Sequence, residues 1–456
     1  MTIAPSRRSI VAVGAGPSNL SLAALAHPLA DVDVILLERK KELRWHADQL
    51  VGNARMQTNA LKDLVTLMDP ESAFSFLAYL KDKRRLYRAI VRGLDHVTRA
   101  EFEDYLRWAA EKLSRVHLGE EVGTIGLEDG MFSVETGRQT IRTSSVVLGI
   151  GRSPAVPPCA RPRLGQNVFH CADLLSRPRS FAGRRVVVVG GGQSGAEAIH
   201  ELLKNTFGAA ASLHWITRRP AIFALEDSAF VNEWFFPQHS IWFHRQAAPV
   251  RQRMLEAQDL ASDGVSAATL SAIYDLLYAR SVGRGSENFD ISVNTSLEAM
   301  SGDRGAERML LRDCLTGGQR TVEADVVILC TGFEFELPRF LEGLRPRLRF
   351  DDTSRGSAEL ALREDFSVMW DGPASCRLFV QNGGLNQHGI ADPNLSLIAW
   401  RSGKILNAIL GRTVFDCAPV SGALNWFDAA REPDGAADPQ SAARAVDWAG
   451  AAPPLR

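Results

Sequence analysis

The sequence lacks the features that mark several classes of protein. Its six cysteines are scattered without a C-x-x-C pair, which argues against a redox dithiol, a zinc site or a secreted disulfide framework. No uninterrupted apolar run reaches the ~18 residues of a membrane span, so we expect no integral membrane segment. The net charge is only -1 over 456 residues, which implies neither nucleic acid nor an anionic membrane as a partner. No pair of the ten histidines has convincing metal-ligand spacing, so we predict no metal.

The start of the chain carries no visible targeting signal. MTIAPSRRSI runs directly into a strand without a long apolar region, so we expect a cytoplasmic protein. With 45% hydrophobic and 23% charged residues, the composition is that of a globular protein long enough for two or three domains. From residue 427 to 456 the chain is rich in Ala, Pro and Asp and lacks periodicity, which predicts a poorly ordered tail.

The most informative pattern is a strand, glycine turn, helix and strand that occurs twice. In the first copy the strand Ser9–Val13 leads through a glycine turn into the helix Ser18–Ala26, and the next buried strand closes on Glu38. The second copy begins with the valine strand Arg185–Val189 and closes with Leu213–Thr217. Two separate βαβ units predict an α/β protein with two Rossmann-like dinucleotide-binding domains.

A later strand suggests how the domains divide the chain. Asp325–Leu329 is an apolar strand that follows the second unit, and we interpret it as a return to the first sheet. The first dinucleotide-binding domain is then discontinuous, over residues 1–175 and 320–412. The second covers 176–319 and includes a helical segment around 223–280.

The first glycine turn has the sequence GAGPSN over residues 14–19. Gly14 permits a tight turn, Gly16 lets the backbone approach a pyrophosphate, and the following helix N-terminus offers free N–H groups. Asn19 stands where a third glycine is usual. Glu38 can accept hydrogen bonds from a ribose diol and would repel a 2′-phosphate, so the site suits FAD or NAD but not NADP.

The second glycine turn, GGGQSG over residues 190–195, matches G-x-G-x-x-G. Its second strand ends in Thr217-Arg218-Arg219 instead of an acid. Two guanidinium groups match a 2′-phosphate and favour NADPH over NADH, although both arginines could also be solvated loop charges. One FAD-type and one NADPH-type site indicate a flavoprotein reductase or monooxygenase. The missing C-x-x-C removes the disulfide reductases.

Further motifs run in order from about Val11 to Leu410. They are Trp45-His46, MQTNALKDL from Met56, Asp69-Pro70, FLAYL from Phe76, RAEFEDYLRW from Arg99, GQSGAE from Gly192, FVNE from Phe230, TGF from Thr331 and HGIADP from His388. In these motifs the sequence resembles the lysine N6-hydroxylase/ornithine N5-oxygenase family of siderophore biosynthesis. Ornithine-type members carry an Asn-Tyr pair where this chain has ASDGV over 261–265, so it is more similar to the lysine- and diamine-type branch.

The resemblance implies an N-hydroxylating monooxygenase that uses FAD, NADPH and O₂. The first domain would be the FAD-binding domain and the second the NADPH-binding domain, and the helical segment around 223–280 would bind the substrate. It would convert the terminal primary amine of L-lysine, or of a diamine such as cadaverine, putrescine or 1,3-diaminopropane, to a hydroxylamine through a C4a-hydroperoxyflavin. The cofactor would carry the hard chemistry while the protein positions the reactants. We also expect a homo-oligomer, a dimer or a tetramer.

The resemblance also implies roles for matching residues. FAD would be held by Gly14, Gly16, Pro17, Glu38, Trp45, His46 and Gln57, with Gln57 near the isoalloxazine. NADPH would be held by Gly190, Gly192, Gln193, Ser194 and Arg218. Two of the residues would be catalytic: Gln193 would steer the nicotinamide, and Arg99 would reach the nicotinamide half of NADPH. Lys62, Asn232 and Ser396 match positions that bind an amino-acid substrate.

Plainer structural roles stand beside these assignments. Lys62 could be a surface lysine next to an aspartate, Gln57 a satisfied core amide, and Asn232 a helix cap. Trp45 and His46 could simply pack under the flavin.

Two other functions also fit the pattern. A Baeyer–Villiger monooxygenase has the same two glycine loops, and Gly165 with His170 faintly resembles its fingerprint. A nucleotide-binding protein without turnover would hold the cofactors but consume no oxygen. Within the resemblance, the sequence leaves lysine and diamine substrates open.

Overall fold

The computed structural model describes residues 8–46, 54–94, 97–177, 180–282, 288–302, 305–351, 359–420 and 422–426. The tail predicted over 427–456 lies outside these ranges. The strands are β1 Arg8–Val13, β2 Val32–Glu38, β3 Val116–Leu118, β4 Val122–Glu128, β5 Met131–Thr136, β6 Thr140–Thr143, β7 Ser145–Leu148, β8 Ser153–Pro154, β9 Val168–His170, β10 Arg185–Val189, β11 Ser212–Ile216, β12 Phe289–Ser292, β13 Thr295–Ser301, β14 Glu307–Asp313, β15 Gln319–Ala324, β16 Val326–Leu329, β17 Phe333–Glu334, β18 Phe350–Asp351, β19 Glu359–Leu360 and β20 Arg377–Val380. The helices are α1 Pro17–Ala26, α2 Phe76–Asp82, α3 Leu86–Arg92, α4 Arg99–Lys112, α5 Gln193–Leu203, α6 Pro237–Arg245, α7 Ala248–Ala257, α8 Asp259–Asp263, α9 Ala267–Val282, α10 Leu385–His388 and α11 Ile398–Leu410.

The first sheet is parallel and has the strand order β20-β7-β1-β2-β3. Its central strands are apolar because helices or other layers cover both faces, and continuous apolar runs are typical of such strands. Helix α1 is buried along its whole length and packs against α11. The first predicted βαβ unit is therefore confirmed.

The second sheet is also parallel, with the order β12-β11-β10-β16-β9. Its central strand β10 is the valine strand of the second βαβ unit, which is confirmed as well. Helix α5 follows β10 and packs against α9. Two three-stranded antiparallel sheets, β4-β5-β6 and β13-β14-β15, lie between the parallel strands along the chain.

The predicted domain boundaries are wrong for two strands. The strand predicted over Asp325–Leu329 pairs through β16 with β10, and β9 pairs with β16, so both belong to the second sheet. After β7, the next strand along the chain that belongs to the first sheet is β20, which pairs with β7. The part of the chain that forms the first sheet is thus discontinuous, as predicted. The partners of β9 and β16 could not be predicted, because short buried strands share one apolar pattern that does not specify a partner strand.

The predicted helical segment around 223–280 is helical in the structure. It contains a 3₁₀ turn over Val231–Phe235, followed by α6, α7, α8 and α9. Helices α6 and α7 pack against α10, which belongs to the C-terminal part of the chain. The segment therefore connects the second sheet to the residues that follow β20. Among the described helices, none is long and apolar enough to cross a membrane.

Candidate active site

The first glycine turn lies between β1 and α1 and is shaped by Gly14. Gly14 has φ +92°, and a Cβ there would stand 2.5 Å from the carbonyl oxygen of Gly149. At Gly16, by contrast, the nearest atom to a Cβ would be 3.8 Å away. Pro17 occupies the first turn of α1, where its missing N–H costs no helix hydrogen bond. A side chain would therefore clash with the protein at Gly14, whereas at Gly16 it would make only an ordinary van der Waals contact.

Asn19 occupies the position of the third glycine of the motif, and its side chain forms three hydrogen bonds there. Its buried Nδ2 donates to the carbonyl oxygens of Val13 at 3.0 Å and Gly14 at 2.9 Å, and its Oδ1 accepts from Gln381 Nε2 at 2.8 Å. A Cβ on Gly149 would collide with this side chain. The third glycine usually permits the helix to pack closely against the neighbouring strand. Here the absence of a side chain at Gly149 leaves room for Asn19 of the helix instead. The departure from the motif does not disrupt the turn.

Glu38 stands at the end of β2 and faces this turn. Its Oε2 accepts a hydrogen bond from the backbone N–H of Ala15 at 2.9 Å, and its Oε1 accepts one from Lys40 N at 2.9 Å. A carboxylate has about four lone-pair positions, so it can still accept from a ribose hydroxyl. This position agrees with the role predicted for Glu38.

A buried arginine that sequence reasoning missed supports the same turn. Arg401 on α11 is 1% exposed. It donates to Asp392 Oδ1 at 2.7 Å, to Asn382 Oδ1 at 2.7 Å and to Ser18 Oγ in α1 at 3.3 Å. Burial lowers the pKa of Arg401, and the Asp392 carboxylate opposes this. The HGIADP motif contains Asp392, but nothing in it indicates a partner nine residues later.

The second glycine turn repeats the geometry between β10 and α5. Gly190 has φ +132°, and a Cβ there would overlap the carbonyl oxygen of Cys330. At Gly192, which precedes α5, a Cβ would lie 3.5 Å from the nearest atom, the carbonyl oxygen of Asp263. Ser194 is the second residue of α5 and is half-buried. As in the first turn, a Cβ at the second glycine of the motif would make only an ordinary van der Waals contact with the protein.

Four polar side chains meet beside the second glycine turn, two from the half of the molecule built on the first parallel sheet and two from the half built on the second. Gln57 Nε2 lies 3.5 Å from Gln193 Oε1, at the limit of a hydrogen bond. Arg99 donates from Nη1 and Nη2 to the two oxygens of Glu197, at 2.9 Å and 3.0 Å. Gln193 Nε2 donates to Glu197 Oε1 at 2.9 Å. The structure brings together the predicted residues Gln57, Gln193 and Arg99, and it adds Glu197. Because Gln57 is exposed, it is not a core amide.

The two arginines at the end of β11 differ in their surroundings. Arg219 donates to Asp259 Oδ2 at 2.6 Å and to the carbonyl oxygen of Asp263 at 2.9 Å. Arg218 is exposed. Arg219 is thus engaged within the protein, whereas Arg218 faces solvent, where a cofactor phosphate could reach it.

Two of the three predicted substrate residues are in contact. Lys62 Nζ donates to Ser396 Oγ at 3.0 Å and lies 5.7 Å from the centre of the Phe235 ring. Burial lowers the pKa of the Lys62 ammonium group. Among the described residues, no carboxylate forms an ion pair with Lys62. The adjacent Asp63 instead accepts hydrogen bonds from the backbone of Val65, Thr66 and Phe76. Lys62 is therefore not a solvated surface lysine paired with Asp63.

Asn232 lies in the same 3₁₀ turn as Phe235. Its Nδ2 donates to the carbonyl oxygen of Asp227 at 2.8 Å, which ties the turn to the preceding loop. Its amide oxygen can still accept a hydrogen bond. A role for Asn232 in substrate binding stays a prediction.

Trp45 and His46 lie beside the first half of the site. The Trp45 ring packs 5.3 Å from Phe102 and 4.7 Å from His46, between ring centres. His46 is exposed, has φ +50° and lies 6.3 Å from the Phe333 ring. Both rings pack against protein, and contact with a flavin stays a prediction. Among the described residues, no group of three His, Cys, Asp or Glu side chains is placed to hold a metal ion.

The structure has two parallel α/β units, each with a glycine turn before a helix, and polar side chains from both units meet. This arrangement defines the class of two-dinucleotide oxidoreductases, to which flavin monooxygenases and reductases belong. Residues 7–335 match the family described as L-lysine 6-monooxygenase/L-ornithine 5-monooxygenase. The chain belongs to this family, and the resemblance found in the sequence is confirmed.

Individual relatives agree with this result. The chain is 35% identical over 419 residues to the L-lysine N6-monooxygenase of Escherichia coli, covering 91% of this chain and 97% of the relative. The structure is similar to an FAD-bound cadaverine monooxygenase of Erwinia amylovora, with a TM-score of 0.86, 26% identity and coverage of 94% and 100%. An ornithine N-hydroxylase of Kutzneria sp. 744 with reduced FAD, NADP⁺ and L-ornithine has a TM-score of 0.80, 26% identity and coverage of 89% and 99%.

Proposed function

We propose that this chain is an FAD- and NADPH-dependent N-hydroxylating monooxygenase that oxidises the terminal primary amine of L-lysine to a hydroxylamine. A related aliphatic diamine is the second candidate. Family membership supports the reaction class. The observation that supports an amino-acid substrate is the half-buried Lys62 ammonium group, which pairs with no carboxylate of the described residues.

The first half of the site fits FAD. Gly16 carries no side chain at the N-terminus of α1, where a pyrophosphate is favoured, and Glu38 accepts a hydrogen bond from the turn, which suits a ribose there. Gln57 is exposed toward the second half, where an isoalloxazine ring would face a nicotinamide. When bound, FAD supplies the redox chemistry that transfers oxygen from O₂ to the amine.

The second half fits NADPH by the same reasoning. Gly192 carries no side chain at the N-terminus of α5, which suits a pyrophosphate, and the exposed Arg218 suits a 2′-phosphate. Gln193 and Arg99 lie where the two halves meet, which supports their predicted position beside the nicotinamide.

The proposed reaction needs a neutral amine, and the partly buried surroundings of Lys62 bear on this requirement. An alkyl amine has a pKa near ~10.4, so holding it neutral at pH ~8 costs roughly 3 kcal/mol in water. Burial already lowers the pKa of the Lys62 ammonium group. A substrate whose carboxylate pairs with Lys62 would place its terminal amine farther along the site, and exclusion of water there would lower the pKa of that amine. The protein would therefore contribute by excluding water and aiming the amine, without a side-chain nucleophile.

The lysine proposal follows from charge. A partly desolvated cation is stabilised by an anion, and the carboxylate of an amino acid would supply one, with the Ser396 hydroxyl beside it. A diamine would instead bring a second ammonium group toward Lys62, and like charges repel. The cadaverine monooxygenase among the structural neighbours is the reason to keep the diamine as an alternative.

A substrate panel tests the proposed function. Purified chain with FAD, NADPH and O₂ is given L-lysine, L-ornithine, cadaverine, putrescine or 1,3-diaminopropane, and the hydroxylamine is measured rather than NADPH loss. We expect most product from lysine. Product from ketones but no amine would favour a Baeyer–Villiger enzyme, and cofactor binding without oxygen consumption would favour a non-catalytic protein.

His170, part of the Baeyer–Villiger resemblance, is buried and bonds to the carbonyl oxygen of Gly332 at 3.0 Å.

Arg218→Ala is expected to raise the KM for NADPH about tenfold or more while sparing NADH. A charge-assisted contact with a phosphate contributes about 1.5–3 kcal/mol, and only NADPH carries the 2′-phosphate. Steady-state kinetics with both coenzymes measure the effect. Arg219→Ala is the matched control: because Arg219 bonds to Asp259 and Asp263, its loss should affect both coenzymes alike. Equal weakening of both coenzymes by Arg218→Ala would show that the 2′-phosphate assignment is wrong.

Self-association and a cytoplasmic location stay predictions. Tyr274, Tyr278 and Val282 recur at every fourth residue of α9 and are 73%, 67% and 77% exposed, which supports burial against another copy of the chain. Light scattering of the purified protein measures its oligomeric state.

A further inference from the structure

Glu197 connects the two halves of the molecule at the point where the predicted cofactor residues meet. It lies in the second turn of α5, which follows the second glycine turn. Its partner Arg99 is the first residue of α4, which packs against α1 of the first half. The side chain of Arg99 is only 15% exposed, and that of Glu197 only 11%. The pair is therefore a shielded ion pair between the halves.

Glu197 also orients Gln193. Gln193 Oε1 accepts a hydrogen bond from the backbone N–H of Ser266 at 2.8 Å, so the amide cannot be flipped without breaking this bond. The amide nitrogen then points to Glu197 Oε1 at 2.9 Å, one helical turn along α5. Glu197 Oε1 thus accepts from both Gln193 and Arg99. Gln193 Nε2 also lies 3.4 Å from Thr269 Oγ1, so Glu197 holds Gln193 together with Ser266 and Thr269. The same carboxylate joins Gln193 to Arg99, the other residue predicted to face the nicotinamide.

We propose that Glu197 is a positioning residue for hydride transfer: it holds the Arg99 guanidinium and the Gln193 carboxamide in one fixed geometry across the junction of the two halves. The inference rests on the proposed function, because it assigns NADPH to that junction. Glu197 itself need not touch the cofactor, and it would act through the two side chains that it binds.

The charges distinguish this role from a purely structural ion pair. NADPH is an anion, so replacing the carboxylate with an amide removes a repulsive charge and leaves the Arg99 cation available to the cofactor. Binding of NADP⁺ should then stay level or become tighter. Hydride transfer should still slow, because small displacements of positioning groups reduce rates strongly. A general loss of structure would weaken binding and slow transfer together.

The experiment compares Glu197→Gln with Glu201→Gln. Glu201 is a matched control on the same helix: it is 5% exposed, but it bonds to Thr206 and Lys204 away from the junction. Flavin reduction by NADPH is followed anaerobically by stopped flow, and the NADP⁺ dissociation constant is measured by equilibrium titration. For Glu197→Gln we expect reduction to slow by about tenfold to a hundredfold, with the dissociation constant raised no more than about twofold. Equal reduction rates in the two variants, or parallel weakening of binding, would overturn the proposal.

A double variant guards against misfolding. Arg99→Gln with Glu197→Gln replaces the pair by two amides and leaves no unpaired charge, which buried sites tolerate better than a half-removed pair. We expect Arg99→Gln to slow reduction as well, and the double variant to be no slower than the slower single variant, because both changes break one unit. Multiplied effects would show that the two residues act independently.

Failure of this proposal can be told apart from failure of the proposed function. Anaerobic flavin reduction needs no amine, so it reports on Glu197 even if the substrate panel gives no hydroxylamine. Conversely, a wild-type chain that forms hydroxylamine while Glu197→Gln and Glu201→Gln reduce flavin equally well would overturn only the role of Glu197.

Discussion

Lys62→Ala is expected to raise the KM for L-lysine by one to two orders of magnitude, with a much smaller change for cadaverine. The Lys62 ammonium group can pair with the carboxylate of an amino acid, and a hydrogen bond between charged groups contributes about 1.5–3 kcal/mol. In the free protein that ammonium group bonds to the Ser396 hydroxyl and to no carboxylate of the described chain. Steady-state hydroxylamine formation over a range of each amine measures the effect.

Two controls make the Lys62 result interpretable. Lys62→Met keeps most of the aliphatic stem near Phe235, so it separates loss of charge from loss of packing. Lys112→Ala removes a lysine that lies over Trp108 at the end of α4, away from the site, and should leave both substrates unaffected. If Lys62→Ala impairs the turnover of lysine and cadaverine equally, through a lower affinity for NADPH, then Lys62 does not bind the substrate carboxylate. A lower KM for cadaverine alone would indicate a natural diamine substrate.

The pH dependence of lysine binding provides a second test of the same group. Burial lowers the pKa of Lys62, so as the pH rises its ammonium charge is lost earlier than that of a solvated lysine. The KM for lysine should therefore increase toward alkaline pH in the wild type. In Lys62→Ala the component of this increase that comes from Lys62 should disappear, and KM profiles of both proteins over the same pH range would show whether it does.

Gly190→Ala is expected to lower the free energy of unfolding by about 3 kcal/mol or more. The alanine would have to adopt φ +132°, and its Cβ would overlap the carbonyl oxygen of Cys330. A strained backbone and an overpacked contact each cost about 1–3 kcal/mol. Denaturant titration of the purified protein measures the change. A stability close to that of the wild type would mean that the turn can relax, contrary to the geometry described.

Gly192→Ala provides the contrast within the same turn. Gly192 has φ -94°, which any residue adopts, and a Cβ would lie 3.5 Å from the nearest atom. Stability should change by less than about 1 kcal/mol. NADP⁺ binding should nevertheless be largely lost, because the methyl group would stand where a pyrophosphate approaches the backbone. Titration with NADP⁺ distinguishes the two variants, and unimpaired binding by Gly192→Ala would place the pyrophosphate elsewhere.

The local elements around both glycine turns could be predicted from the sequence. In β1, α1 and β2, as in β10, α5 and β11, the strand, the turn and the helix are adjacent along the chain. Their pattern depends on interactions between near neighbours: apolar runs in buried parallel strands, glycine at positive φ, and free N–H groups at a helix start. Glu38 could be assigned for the same reason, because it ends the strand that follows the turn.

The assembly of the site was decided by the tertiary structure. Lys62 meets Ser396 across 334 positions, and Arg99 meets Glu197 across 98. Arg401 reaches Ser18 across 383 positions. Motif resemblance singled out Lys62, Ser396 and Arg99, but it did not supply the hydrogen bond between Lys62 and Ser396 or the partner of Arg99, Glu197. The placement of β16 in the second sheet was likewise not evident. Hydrophobic patterns report that a segment is buried, whereas the choice of partner depends on how all the segments pack together, and no local pattern encodes that choice.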